Sequence, residues 1–308
     1  MVDLSTKAGA CRWIAEQGRH DFGELWSRLE PLCFNEHGWP VGVAHVDHFD
    51  SLDQRPLPQN SRELLIPAYV YLAASFFCLD HLFDGESHNE FEMLAGSILI
   101  PKALERVAVT FAAHGMPIPD GLHEAAHLFQ NFVQAMLLEK DIRSQPNLRE
   151  EELERQHVVG RSWLVIYMYK TIQTLKGNHV DAEAQQLLED AIYLLQLGDD
   201  WGDWREDFRA GNLTSFIREC ISGMGRSPAD VNELERYIYL SGQYERRGTF
   251  VSEGLRMVEQ RLMANYGQGA RSILAMVRQC RELSEAVVDN FGRVKAGLAP
   301  KELPARLH

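Results

Sequence analysis

Residues 61–84 read Ser61-Arg-Glu-Leu-Leu-Ile-Pro-Ala-Tyr-Val-Tyr-Leu-Ala-Ala-Ser-Phe-Phe-Cys-Leu-Asp-His-Leu-Phe-Asp84, and Gly85 follows at once. The run is apolar on most faces, as a helix buried in a core should be. Ser61 is a candidate N-cap and Gly85 a stop signal, while Pro67 predicts a kink or an early boundary. Outward from this run, apolar residues keep recurring at three- and four-residue steps, and strand-like alternation is hard to find. Helices are expected over about 5–18, from Asp21 through Phe22, Leu25, Trp26 and Leu29, and over about 89–114, 120–142, 149–176 and 181 into the 200s. Ser227 with Pro228 behind it predicts the start of a long segment to Tyr266, and a last helix is expected over about 270–295. Between Glu36 and Asn60, Gly38, Pro40, Gly42, Pro56 and Pro58 predict a long irregular connector. The expected fold is an all-α, single-domain antiparallel helical bundle. Residues 1–60 form an N-terminal addition packed on the same domain, and residues 61–308 form the helical domain proper.

The chain has 308 residues, 45% hydrophobic and 24% charged, enough apolar material for one large core or two small ones. Lys plus Arg total 31 against 44 Asp plus Glu, a net charge of −13. That balance argues against a nucleic-acid-binding surface or an anionic membrane as partner, since both call for clustered cations. Mean hydropathy is −0.26, and no uninterrupted apolar run of about 18 residues suggests a membrane span. The N-terminal stretch mixes charges among its apolar residues and offers no apolar segment of signal-peptide length, so the expected location is the cytoplasm. Cys11, Cys33, Cys78, Cys220 and Cys280 lie far apart with no CxxC, which predicts reduced thiols.

The chemistry concentrates in Gln196-Leu-Gly-Asp-Asp-Trp-Gly-Asp-Trp-Arg-Glu-Asp-Phe-Arg-Ala-Gly-Asn-Leu-Thr214. Asp199, Asp203 and Asp207 stand at i, i+4 and i+8, on successive turns of one helix face. Like charges at that spacing cost about 0.2–0.5 kcal/mol per pair, and Gly198 and Gly202 cost roughly 1 kcal/mol each against Ala. Such a cluster of broken local rules points to a functional site. Close carboxylates with no thiolate nearby favour a hard cation, Mg²⁺ or Mn²⁺, whose charge would reverse the repulsion. Taken alone, the stripe also fits a solvated acidic face relieved by a Glu206–Arg209 pair. The second carboxylate pair, Asp80 and Asp84 at the end of the apolar helix, argues for metal, because helical bundles build metal sites from facing helices. A His45-Val-Asp-His-Phe-Asp50 stretch also has a metal-like composition, but lies in the connector with no partner cluster.

The pairing of DHLFD at 80–84 with DDWGDWREDFRAGN at 199–212 resembles the two aspartate-rich motifs of the class I isoprenoid synthase superfamily. Gln196-x-x-Asp199-Asp200-x-x-Asp203 is similar to the second motif of chain-elongating prenyl diphosphate synthases. Asp203-x-x-Glu206-Asp207-x-x-x-Gly211 is similar to phytoene synthase, and the positions 199, 203 and 207 also match the ligand spacing of terpene cyclases. Tyr167-Met-Tyr-Lys170-Thr171 resembles the Lys-Thr pair of prenyl diphosphate synthases. The likeness covers about residues 60–215.

The resemblance implies a helical bundle of the class I isoprenoid synthase type. It further implies that Asp80, Asp84, Asp199, Asp203 and Asp207 are catalytic metal ligands for Mg²⁺, with Mn²⁺ as the alternative, bridging a prenyl diphosphate whose allylic C–O bond ionises. Arg161, Lys170 and Arg205 are the candidate diphosphate ligands. Phe77, Phe83, Trp163, Tyr167 and Trp201 are the candidate wall of a carbocation pocket. His81 stands where elongating enzymes carry a second Asp, no Arg-Arg pair follows, and upstream there is only Arg62 in place of a Gly-Gly-Lys-x-Arg element. These departures favour a terpene synthase taking one C15 or C20 allylic diphosphate. The alternatives are a trans-prenyltransferase of the head-to-tail or head-to-head kind, and a non-catalytic helical protein that binds a prenyl ligand or a partner. A homodimer is the association that the resemblance implies.

Overall fold

The computed structural model describes residues 6–35, 37–52, 55–84, 90–144 and 151–302. The helices are α1 (Lys7–Phe22), α2 (Trp26–Leu29), α3 (Val43–Asp50), α4 (Gln59–Asp84), α5 (Glu90–Ala113), α6 (Ile118–Ser144) and α7 (Glu151–Arg161). They continue as α8 (Trp163–Leu175), α9 (Ala182–Gly202), α10 (Trp204–Ala210), α11 (Ser215–Met224), α12 (Val231–Ser241), α13 (Gln243–Tyr266) and α14 (Arg271–Glu302). Among the described residues there is no strand, only a lone antiparallel bridge between Phe34 and Pro40. The chain is all-α, and it divides into two compact units: Met1–Val133 with Ser162–Ala182, and Gln134–Arg161 with Glu183–His308.

The first unit is built around α4. Every residue from Leu65 to Phe76 is buried, so the helix is enclosed on all sides and runs straight through Pro67. The surrounding apolar packing offsets the hydrogen bond that a proline cannot make. The Gln59–Phe83 span has the length and hydropathy of a membrane-crossing helix, yet 72% of its most apolar window is buried in the protein, as in a core helix. Ser61 is not its cap. The helix begins at Gln59, and the Ser61 hydroxyl lies 2.6 Å from His114 Nε2 at the far end of α5. That contact, with Gly96 against the Ser75 carbonyl, shows α4 and α5 packed antiparallel.

The N-terminal residues dock through a buried ion pair. Arg106 of α5 donates from Nε (2.7 Å) and pairs from Nη2 (2.6 Å) with Asp21 Oδ2 near the end of α1. Gln17 and the Tyr71 hydroxyl complete the network at 2.9 and 3.0 Å. The described part of the expected connector is more regular than its composition predicts, because α3 forms within it and buries Val43, Val46 and Phe49. Its acids are satisfied internally. Asp50 pairs with Lys176 at 2.9 Å and accepts from the Leu57 amide at 2.9 Å, and Asp47 pairs with Arg62. His45 packs against Phe49, and its burial lowers its pKa to about 4, so it stays neutral. The metal-like composition of residues 45–50 is thus explained by packing and ion pairs.

The second unit has an aromatic core of Trp201, Trp204, Phe216, Ile217, Cys220, Leu234 and Ile238. The long α13 and α14 are joined through Gly267 and laced by ion pairs from Glu259 to Arg278 and Arg281, and from Glu285 to Arg256 and Arg281. Three expected boundaries move. The 149–176 segment is two helices parted at Ser162. The helix expected from Ser227 is capped instead by Asp230, whose carboxylate accepts from the Glu233 amide at 2.9 Å, and it breaks at Gly242, where φ is +76°. The α11 segment had no expected counterpart.

Candidate functional site

The second aspartate array lies on the α9–α10 junction of the second unit. Helix α9 ends at Gly202, and Asp203, with φ −98° and ψ 9°, begins α10. The break is slight. The Asp203 amide still donates to the Asp199 carbonyl at 2.9 Å and the Asp207 amide to the Asp203 carbonyl at 3.1 Å, which preserves the successive-turn spacing of the three acids. Trp201 and Trp204 turn into the core, 4% and 1% exposed, while Asp199 and Asp203 face outward and Asp207 is half-buried. The two tryptophans therefore hold the segment down and fix which face the carboxylates present. Gly248 permits this seating, since a Cβ there would meet Trp201 Cζ2 at 2.7 Å and would clash with Val288 Cγ2. Gly211, at φ +82°, ends α10 and lets the Asn212 amide return to the Asp207 carbonyl at 2.8 Å.

The electrostatics show a cluster of like charges that is only partly offset by hydrogen bonds. Burial, and then the Asp203 charge, push the Asp199 carboxyl above its ordinary pKa, while Gln196 partly compensates, donating to Asp199 at 3.3 Å and Asp200 at 3.1 Å. Asp207 is pushed up to about 6, by burial first and then by the charges of Asp200, Asp203 and Asp199, against a hydrogen bond from Asn212. The donors are all oxygen, the set that suits a hard divalent cation. Among the described residues no three His, Cys, Asp or Glu side chains gather closely enough to hold an ion by themselves.

The raised pKa of Asp207 has a measurable consequence in metal-free protein. Its ionised form is disfavoured in the folded state, so it costs stability above pH 6, and the cost is lost as pH falls through about 6. Asp207→Asn should raise Tm at pH 8 and leave it unchanged at pH 4. Half-exposure and solvent screening hold the gain to about 1 kcal/mol, at most about 2–4 °C. A lower Tm at pH 8 would contradict the charge repulsion.

The first motif belongs to the first unit. Phe77, Asp80 and Asp84 follow one another at i, i+3 and i+7 along α4, which places them on one stripe. Asp80 is partly exposed, and the Asp84 side chain lies outside the described residues. Phe77 and Phe83 are 53% and 38% exposed, whereas their neighbours up the helix are core. His81 Nδ1 sits 4.0 Å from Glu92 of α5.

Of the other residues singled out from sequence, Tyr167 is fully buried, edge to face with Tyr69 at 6.2 Å, and Trp163 is half-buried. Trp201 is core of the second unit. Each candidate diphosphate ligand has an acidic partner that the sequence reading missed. Arg161 Nη1 donates to both oxygens of buried Glu139 at 3.2 and 3.0 Å. Lys170 lies 3.4 Å from Glu124, over the Trp163 ring. Arg205 pairs with Glu235, donates to the Tyr239 hydroxyl at 2.9 Å and stacks over Trp204. An incoming anion would have to share these cations with their carboxylates. The partners sit 22–46 residues away in sequence and on other helices, so no local pattern announces them.

No family model matches the chain, and no curated protein sequence does. Solved structures do match. A polyprenyl synthase from Caulobacter crescentus CB15, complexed with calcium and isoprenyl diphosphate, aligns with a TM-score of 0.63 at 15% identity, covering 88% of this chain and 93% of that one. A polyprenyl synthase from Roseobacter denitrificans gives 0.61 at 12% identity over 92% and 99%. A decaprenyl diphosphate synthase from Rhodobacter capsulatus gives 0.51 at 14% identity over 87% and 98%. The chain therefore has the all-α isoprenoid synthase fold. The two aspartate-rich segments that resemble this class from sequence stand at the end of α4 and across α9–α10.

Proposed function

We propose that this protein is a divalent-metal-dependent isoprenoid synthase that ionises an allylic prenyl diphosphate. The observation that carries the reading is the array of exposed Asp199 and Asp203 with half-buried Asp207, whose mutual repulsion is held in place by two buried tryptophans. A negative cluster that costs stability and presents only oxygen donors suits cation-mediated binding of a polyanion. When bound, the cation supplies positive charge that stabilises the departing diphosphate, so the C–O bond breaks without an acid. The protein's own part is to orient the carboxylates through the amides of Gln196 and Asn212, which offset part of the burial that disfavours their charge. The exposed rings of Phe77 and Phe83 beside Asp80 offer π faces to an apolar, cationic chain. The calcium and isoprenyl diphosphate of the Caulobacter structure support this ligand class.

Two finer readings follow from different observations. A terpene synthase acting on one C15 or C20 substrate is supported by the missing basic elements. Arg62, which stands in place of the upstream basic element, is engaged by Asp47 and lies 3.9 Å from Asp50, so it adds no open diphosphate ligand. A trans-prenyltransferase is supported by the fold likeness, since all three similar structures are polyprenyl or decaprenyl diphosphate synthases. The shared claim is tested by calorimetry with a non-hydrolysable farnesyl diphosphate analogue. Binding that requires Mg²⁺ and vanishes with EDTA is expected. Absence of Mg²⁺-dependent binding would favour a non-catalytic helical protein.

A further inference from the structure

A second metal-ligating arrangement is built from residues of neither aspartate segment. His123-Glu-Ala-Ala-His127 on α6 sets two imidazoles at i and i+4, one turn apart on the same helix face. Both side chains are exposed, and their Nε2 atoms approach to 3.1 Å, with the rings edge to face at 4.5 Å between centroids. Imidazole nitrogens bind Zn²⁺ at about 2.0–2.1 Å, so two of them on one ion at a tetrahedral to right angle stand roughly 3 Å apart. The pair is thus already spaced as a chelate, and closing on an ion requires no change of backbone. We propose that His123 and His127 form a bidentate site for a borderline divalent transition metal, Cu²⁺, Ni²⁺ or Zn²⁺, distinct from the hard-cation carboxylates.

The chemistry of the surroundings narrows what the site does. The sequence matches the HExxH pattern of zinc hydrolases, but here Glu124 lies 3.4 Å from Lys170 and shares its charge with that cation. No third His, Cys, Asp or Glu joins the pair among the described residues, whereas catalytic zinc takes three protein ligands. The remaining positions on the ion are left to water, which makes this a binding site and not a hydrolytic centre. Imidazole prefers Cu²⁺ over Ni²⁺ and Zn²⁺ and has little affinity for Mg²⁺, so the two sites discriminate between cation classes.

The test is titration of the full-length protein with CuCl₂ and with ZnCl₂ in excess Mg²⁺, which occupies the carboxylates. One equivalent of each metal should bind, Cu²⁺ more tightly. Electron paramagnetic resonance of the Cu²⁺ form should show coupling to two imidazole nitrogens. His123→Ala and His127→Ala should each weaken binding roughly tenfold or more, since even lost outer-sphere partners cost 10–100-fold. Both positions are exposed, so the far-UV circular dichroism should not change. No binding by the wild type, or unchanged binding and nitrogen coupling in both variants, would overturn the proposal.

Discussion

Asp203→Asn and Asp80→Asn should each reduce diphosphate release from an allylic prenyl diphosphate by about 10²–10³-fold or more, the scale on which single transition-state charge stabilisers act. Asp203 is the hinge of its array. It lies one turn from both Asp199 and Asp207, so its carboxylate is the one that can share a cation with either neighbour. Burial is the first cause of the raised Asp199 and Asp207 pKa values, and removing the Asp203 charge takes away only the repulsion that adds to it. The variant should therefore be inactive while remaining fully folded, with unchanged helical circular dichroism. Asp80 tests the first segment separately, because it lies in the other compact unit. Full activity in either variant would remove that segment from the reaction, and loss of helical signal in both would recast the acids as structural.

The largest effect on stability should come from Asp21→Ala. The substitution strands the guanidinium of Arg106, whose side chain is 8% exposed, and leaves the Tyr71 hydroxyl without its acceptor. Breaking one side of a buried pair costs about 3–5 kcal/mol, because the remaining charge stays desolvated. Urea titration should show the unfolding free energy falling by that amount, as a lower midpoint at unchanged slope. Replacing both partners, as Asp21→Leu with Arg106→Met, should recover most of it. A loss below about 1 kcal/mol for the single variant would mean that the pair is solvated, as surface pairs are.

The contrast between these two sites shows what the sequence can disclose. The helical class and the place of both aspartate segments were legible, because period and local spacing are properties of neighbouring residues. Helix α4 was readable as a core element from its own composition. What depended on distant residues was not. Trp201 reads as a pocket wall beside an acidic motif, but Gly248 and Val288, far along the chain, close over it and make it core. Arg161, Lys170 and Arg205 read as free cations until Glu139, Glu124 and Glu235 meet them from other helices. Asp21 reads locally as the opening of a helix, but it lies inside α1, and nothing nearby announces an ion-pair partner 85 residues away. Ser227 with Pro228 is a sound helix start by local rules, yet Asp230 accepts from the Glu233 amide and so takes the cap three residues later.

The central claim is tested most directly by incubating the protein and Mg²⁺ with geranyl, farnesyl or geranylgeranyl diphosphate, each alone, and identifying the products by mass spectrometry. Ionisation of an allylic prenyl diphosphate predicts stoichiometric inorganic diphosphate from at least one substrate, alone or with isopentenyl diphosphate added, abolished by EDTA; a terpene hydrocarbon or alcohol from a single substrate would favour the terpene-synthase reading. Turnover only after isopentenyl diphosphate is added, with a product longer by five carbons, would assign the protein to chain elongation instead. No diphosphate release under either condition would contradict the account altogether.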